Sequence, residues 1–408
     1  MKKTACWLGL LAVLGLPGAQ AANQEIRALF QPDPSQPNKN VFINKTPNSG
    51  YCVSYPAQCA DNNMFSIQVP IRFSTVTPLF SSNGIWVKVP AEWRQLTVTN
   101  HETQETSTVE VRISGIGSRF HLSKPATELT GESDVLEAHR KLWTNNSWVY
   151  APPPCLYSGV GAYTPTTYQF FWKTPQPGSC IKTAAFDVGH MSFEYLDIAY
   201  ELRTPNPLSM SSGLYTGSLT YSVGRGSADF TMGPFMEADD GNLNLDFVLD
   251  VQHTLKVDLP PGGNQIALQP EGGWQPWLNT RRIPNRIYRD QTFHISASSR
   301  FKMYLECGRG TITACFLFNE AVTSSARMHV RVSLPSGLTD MSGRPVVRQE
   351  LFPVESNAIV FQPGIYVDRK PGTLHFDIDE KNVIEYMLTA GRGNKYFNTV
   401  VVIWDSEI

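Results

Sequence analysis

The sequence predicts an all-β protein of two β-sandwich domains. Three observations carry this: strict period-two alternation of apolar and polar residues, dense turn-forming residues, and near absence of helical patterning. Phe65, Ile67, Val69, Ile71 and Phe73 are apolar, with Ser66, Gln68 and Arg72 polar between them. Val109, Val111 and Ile113 flank Glu110 and Arg112; Phe301, Met303, Leu305 and Cys307 flank Lys302, Tyr304 and Glu306; Met328, Val330, Val332 and Leu334 flank His329, Arg331 and Ser333. Alternation of this kind puts one strand face in a core and the other in water, as in antiparallel sheets. The 30 glycines and 29 prolines break the 408 residues into short runs. Strands without alternating helices exclude a doubly wound sheet. The length fits roughly two to three domains of about 100–200 residues each.

Along the chain, Met1 to Ala21 reads as a secretory leader. Lys2 and Lys3 open it, an apolar stretch runs from Trp7 to Leu16, and Ala19-Gln20-Ala21 supplies small residues for cleavage. Cys6 leaves with it. The remaining cysteines fall into three local pairs, C-x6-C, C-x24-C and C-x7-C, expected as disulfides Cys52–Cys59, Cys155–Cys180 and Cys307–Cys315. Zinc is the alternative, but the spacings are too wide and no histidine pair accompanies them. One helix is expected, from Asp134 to Trp143, with Asp134 as its cap and Glu137 three residues later. Gly308-Arg309-Gly310 turns a hairpin that Cys307–Cys315 would staple. Gly233 to Asn242 is small, acidic and broken by Pro234, and reads as a solvated linker, not a calcium loop. The expected organisation is therefore a first β domain over residues 22–232, a linker at 233–242 and a second domain over 243–408. A weak echo between Gly213–Tyr221 and Gly393–Trp404, each a glycine and tyrosine leading into a strand, suggests related domains.

Chemistry is sparse. Net charge is −2 and charged residues are 17%, so nothing asks for nucleic acid or an anionic membrane. Past the leader, no apolar stretch approaches the ~18–20 residues of a membrane span. There is no H-E-x-x-H helix and no G-x-S-x-G elbow. The Gly-Arg-Gly triplets at 224–226, 308–310 and 391–393 read as hairpin turns. His190 and His253 read as packing or surface residues. Asp377 and Asp379 lie two apart on one strand and are the visible carboxylate pair for acid–base work. No catalytic residue, metal site or cofactor is expected.

The chain ends on a β-branched run, Thr399-Val400-Val401-Val402-Ile403-Trp404, followed only by Asp405 to Ile408. Such a strand is usually covered on both faces or paired on both edges. It reads either as an ordinary final strand or as an edge awaiting a strand from another chain. Taken together, the leader, the β-rich halves, the stapled hairpin and this terminus resemble a bacterial chaperone–usher fimbrial tip adhesin. The resemblance implies immunoglobulin-like, Greek-key sandwiches: a receptor-binding domain, then a pilin domain lacking its last strand. It implies a periplasmic pilus chaperone, an outer-membrane usher and a neighbouring pilin subunit as partners. By position, Val400, Val401, Val402, Ile403 and Trp404 would border the polymerisation groove, and the Ile408 carboxylate would anchor the chaperone. Glu407 departs from the family's aromatic next to last. Pro32, Pro34 and Pro37 interrupt any donor strand near the amino terminus, which suits a subunit that caps a fibre.

If the first domain binds a host glycan or protein receptor, its aromatic segment is the candidate: Trp143, Asn145, Asn146, Trp148, Tyr150, Tyr157 and Tyr163. Aromatic faces stack on sugar rings or anchor protein partners, and the amides suit hydroxyls. The competing reading for Trp143, Trp148, Tyr168, Phe170 and Trp172 is core. The functional expectation is an exported, cell-surface adhesin. The alternatives are a secreted β-sandwich polysaccharide hydrolase and a non-adhesive fimbrial adaptor.

Overall fold

The computed structural model describes residues 22–61, 64–157, 161–226, 228–389 and 393–406. The leader, Glu407, Ile408 and most of the third Gly-Arg-Gly triplet lie outside them. Strands dominate, and they bury two separate apolar interiors.

The first interior is wrapped by a curled sheet organised on the 17-residue strand Thr106–Leu122. Arg94–Asn100, Thr167–Lys173, Met191–Phe193 and Leu196–Arg203 all pair antiparallel with it along its length. Its core face switches parity midway. Val109, Val111 and Ile113 point inward in the first half, and Ile116, Phe120 and Leu122 in the second. The pairing slips between Ala199 and Tyr200 at that point, and such a bulge moves the buried set to the other parity. Thr167–Lys173 is buried on both faces. Tyr168, Phe170 and Trp172 face the interior, while Phe171 packs with Tyr51, Cys52 and Cys59 under a helical knuckle, Tyr51–Ser54 and Pro56–Asp61. Gly115 and Gly117 make room for it: a Cβ at either position would meet the Phe171 ring at 2.6 Å.

The strand Asn242–Val251 lies between Gly213–Ser222 and the amino-terminal strand Ala22–Phe30. The pairing with Ala22–Phe30 is parallel over all nine residues. Leu243, Leu245, Phe247, Leu249 and Val251 all point into the first interior. This corrects the boundary expected at 233–242, because the run that opens at Leu243 completes the first sheet. The expected linker is tied down too. Met236–Ala238 pairs with Phe73–Thr75, and Asp239 Oδ1 accepts the Arg72 N–H at 2.8 Å. The chain passes between the interiors at Gln252 to Thr254. There His253 bonds Met210 O through Nε2 at 2.8 Å and Ser298 Oγ through Nδ1 at 3.1 Å.

The second interior lies between two sheets. One runs Leu255–Asp258, Ile287–Ala297, Val367–Ile378, Ser325–Ser333, Cys315–Asn319, Tyr396–Phe397; the other runs Leu338–Asp340, Ile359–Pro363, Phe301–Cys307, Val400–Ser406. Phe301, Met303, Leu305, Met328, Val330 and Val332 fill it.

The helix Val135–Lys141 forms as its cap dictates, with Asp134 accepting the Glu137 N–H at 2.9 Å. Among the described residues five other α-helices lie outside the sequence expectation; the knuckle's two, Ala126–Thr130 and Gln275–Thr280 are too short for a period to register. Lys381–Leu388 was also missed; it buries only Ile384. Disulfides join Cys52 to Cys59, Cys155 to Cys180 and Cys307 to Cys315, with Cα–Cα separations of 5.6, 5.8 and 5.8 Å.

Candidate binding surface and terminal strand

The loop after Val135–Lys141 turns its tryptophans inward. Trp143 is 2% exposed and Trp148 0%. Trp148 stacks on Trp172 at 5.1 Å and 12°, and the Trp172 indole N–H donates to Trp148 O at 2.7 Å. Neither side chain can reach a receptor, which corrects their assignment to the binding site. The loop is wound around one buried lysine. Lys182, inward-facing on Ser179–Thr183, donates to the carbonyls of Asn145, Asn146 and Ser147 at 2.7, 3.1 and 3.0 Å. Burial draws its pKa down to about 7, while three acceptors for three N–H donors favour the charged form. Asn146 is committed to the turn, its Oδ1 accepting from Ser147 N and Arg140 Nε. Asn145 is exposed.

The tyrosines do converge. Tyr150, Tyr157 and Tyr163 are 51%, 57% and 44% exposed. Tyr163 pairs across from Tyr168 and Tyr157 from Trp172, so the two sit about 13 Å apart along one strand at ~3.3 Å per residue. Tyr150 stacks on Tyr157 at 5.8 Å, and Tyr163 on Tyr168 at 6.0 Å. The Cys155–Cys180 bond braces this ridge, and Pro154 sits against Gly178, where a Cβ would come within 2.6 Å of the proline ring. Exposed phenol rings can stack on sugar rings or seat against apolar side chains.

Exposed aromatics outside the expected set include Phe80, Trp86 and Trp274. Trp86 lies outward on Gly84–Lys88, directly opposite exposed Ile181. The signal was in the alternation: Ile85, Val87 and Val89 take the core face, which leaves Trp86 on the solvent side.

The terminal strand Val400–Ser406 pairs with Phe301–Cys307 along one edge, and among the described residues nothing pairs with the other. Val400, Val402 and Trp404 face inward opposite Cys307, Leu305 and Met303. Leu305 and Met303 are buried, yet the three terminal-strand residues are only half-buried. Trp404 rests on Phe293 at 4.7 Å. Phe293 belongs to the strand beside Leu255–Asp258, whose Leu255 and Val257 are also only partly covered. Val400, Val402 and Trp404 on one sheet and Leu255 and Val257 on the other are thus the partly covered edge of this core.

The acidic pair is tied into an arginine network. Asp377 is buried and held by Arg331 at 2.6 Å, Arg286 at 3.3 Å and Arg348 at 3.5 Å, so its charge is fully met. Asp379 lies at the rim of the same network. Among the described residues no cluster of His, Cys, Asp and Glu suits a metal.

No family model matches the chain, and no curated protein matches it. Solved structures do. The chain is similar to fimbrial adhesins. One is CfaE, the adhesive subunit of CFA/I fimbria of enterotoxigenic Escherichia coli, at 11% identity over 95% of this chain and 99% of that one, with a TM-score of 0.24. A second is from a chaperone–tip adhesin complex of CFA/I fimbriae biogenesis, at 11% identity over 95% and 97%, with a TM-score of 0.25. A third is from the CsuC–CsuE chaperone–tip adhesion subunit complex of Csu pili of Acinetobacter baumannii, at 8% identity over 94% and 98%, with a TM-score of 0.21.

Proposed function

We propose that the chain is a fimbrial tip adhesin, exported to the cell surface, whose carboxy-terminal sandwich is completed by a strand from another protein. The observation that supports this is the edge strand Val400–Ser406, paired on one side among the described residues, with Val400, Val402 and Trp404 only half-buried against the second core. Covering three such side chains gains roughly 1–2 kcal/mol each, a large part of a domain's ~5–15 kcal/mol stability. An inserted strand would also satisfy the free edge amides and carbonyls. A periplasmic chaperone would lend that strand first and a neighbouring pilin subunit later, with an outer-membrane usher between. The Ile408 carboxylate keeps its proposed role as the chaperone anchor.

The amino-terminal strand supports a capping position. Ala22–Phe30 is already held in the first sheet, with Ile26, Ala28 and Phe30 in its core, so it is not free to complete a neighbour. The binding domain in this reading spans residues 22–253 and the pilin domain 254–408. The receptor, a glycan or a protein surface, is met by Tyr150, Tyr157, Tyr163 and Asn145.

The test is expression of residues 254–408 alone and with an apolar donor-strand peptide. The fragment is expected to aggregate alone and to become a soluble, cooperatively melting species with the peptide. A stable monomer without it would remove the proposal.

A further inference from the structure

Between Leu255–Asp258 and Ile287–Ala297 the chain makes a long excursion, and its short helix Gln275–Thr280 buries none of its residues. Trp274, Trp277 and Leu278 stand at i, i+3 and i+4 and share one face. Leu278 is 56% exposed and Trp274 37%. Arg281 closes the helix in the left-handed conformation, at φ 57°, and its guanidinium lies 5.5 Å over the Trp277 ring. Arg282 follows, also exposed. Between Glu271 and Arg282 the only acid is Glu271, and neither arginine has a carboxylate partner among the described residues. Arg286, by contrast, is spent on buried Asp377.

We propose that this knuckle is a contact for a lipid surface rich in anionic phospholipid. Leu278 and Trp274 are exposed and Trp277 is only half-buried, and clustered exposed apolar side chains mark interaction sites. The shape favours a bilayer over a saccharide or a peptide. A knuckle with no buried residue offers no walls, whereas small-ligand sites are concave. A lipid surface yields around a protrusion. Tryptophan settles at the headgroup level, leucine just beneath it, and arginine pairs with phosphate in a fork. Attraction is local, because the whole chain carries a net charge of −2. Arg281 and Arg282 each strengthen binding about fivefold near an anionic surface, so the contact is weak and reversible. It does not depend on the fimbrial reading.

The test is vesicle flotation of the purified full chain. Vesicles of phosphatidylethanolamine with phosphatidylglycerol are compared with pure phosphatidylcholine, and with the first set plus inorganic phosphate. Binding is expected only to the anionic vesicles and is expected to survive free phosphate. Two variants, R281Q/R282Q and W274A/L278A, are each expected to weaken it about tenfold or more. Both change only exposed or half-exposed residues, so thermal melting should match the parent chain. Three results would each overturn the proposal: no vesicle binding, loss of binding to free phosphate, or full binding by W274A/L278A. The last would mean that charge alone is acting.

Discussion

Lys182 and Asp197 are buried in the first interior's strands, and each leaves a readable trace in stability against pH. Burial draws the Lys182 ammonium down to about 7 from the 10.5 of the unfolded chain. The unfolded chain therefore holds more protons between those values, and stability rises with pH from about 7 to 10.5. The three carbonyl acceptors oppose burial and narrow that window. Asp197 has the opposite sign. Burial pushes its carboxyl up to about 7 from 3.8, against the pull of the Tyr51 N–H, Arg119 and Gln68. Its contribution is complete below pH 3.8 and is lost as pH rises through 7. Denaturant titrations should show the alkaline rise vanish in Lys182→Met and the fall between pH 4 and 7 flatten in Asp197→Asn. Unchanged slopes would mean that neither group changes protonation in those ranges. The aromatic segment divides in the same residue-by-residue way. Trp148→Ala empties a site packed against Trp143, Phe170 and Trp172 and should cost about 3–5 kcal/mol. Tyr157→Ala should change stability by less than about 1 kcal/mol and lower receptor adhesion about tenfold. Adhesion unaffected by Tyr157→Ala, with the fold intact, would move the site elsewhere on the domain.

At the scale of elements, the two chain ends are in opposite situations. Ala22–Phe30 is paired on both sides, with Asn242–Val251 and Ile43–Asn44, whereas Val400–Ser406 is paired on one. Hydrogen exchange should show this directly. Amides of Ala22–Phe30 that face Asn242–Val251 should exchange slowly, and those on the free edge of Val400–Ser406 quickly. Adding a donor-strand peptide should protect the second set alone. Equal protection without the peptide would mean that the terminal strand is already covered. The three disulfides staple short loops and should contribute about 2–3 kcal/mol each in the loop-entropy picture.

At the scale of the whole molecule, the division between the interiors sets which fragments fold. Residues 22–253 hold every strand of the first sheet, so this fragment should be a soluble monomer with one cooperative melt. Residues 22–241 lack Asn242–Val251, which leaves Gly213–Ser222 and Ala22–Phe30 with no partner between them. That shorter fragment should aggregate. Equal solubility of the two would mean that the strand is dispensable to the first domain.

Alternation by itself placed the strands, because a residue's side of a strand depends only on its parity. It identified Phe301, Met303 and Leu305 as core before any partner strand was known. The Asp134 cap is equally local and was legible for the same reason. Tertiary structure decided what parity leaves open. Leu243 to Val251 has the same pattern whichever sheet it joins, and only its pairing with Gly213–Ser222 and Ala22–Phe30 assigns it to the first interior. Trp148 and Tyr157 are equally aromatic in the sequence. Lys182 holds the loop that turns the first inward, and strand pairing at the sheet's rim leaves the second in water. A chain spells out which side of a strand is apolar, but which neighbours cover that side is a matter of contacts between residues far apart in the sequence.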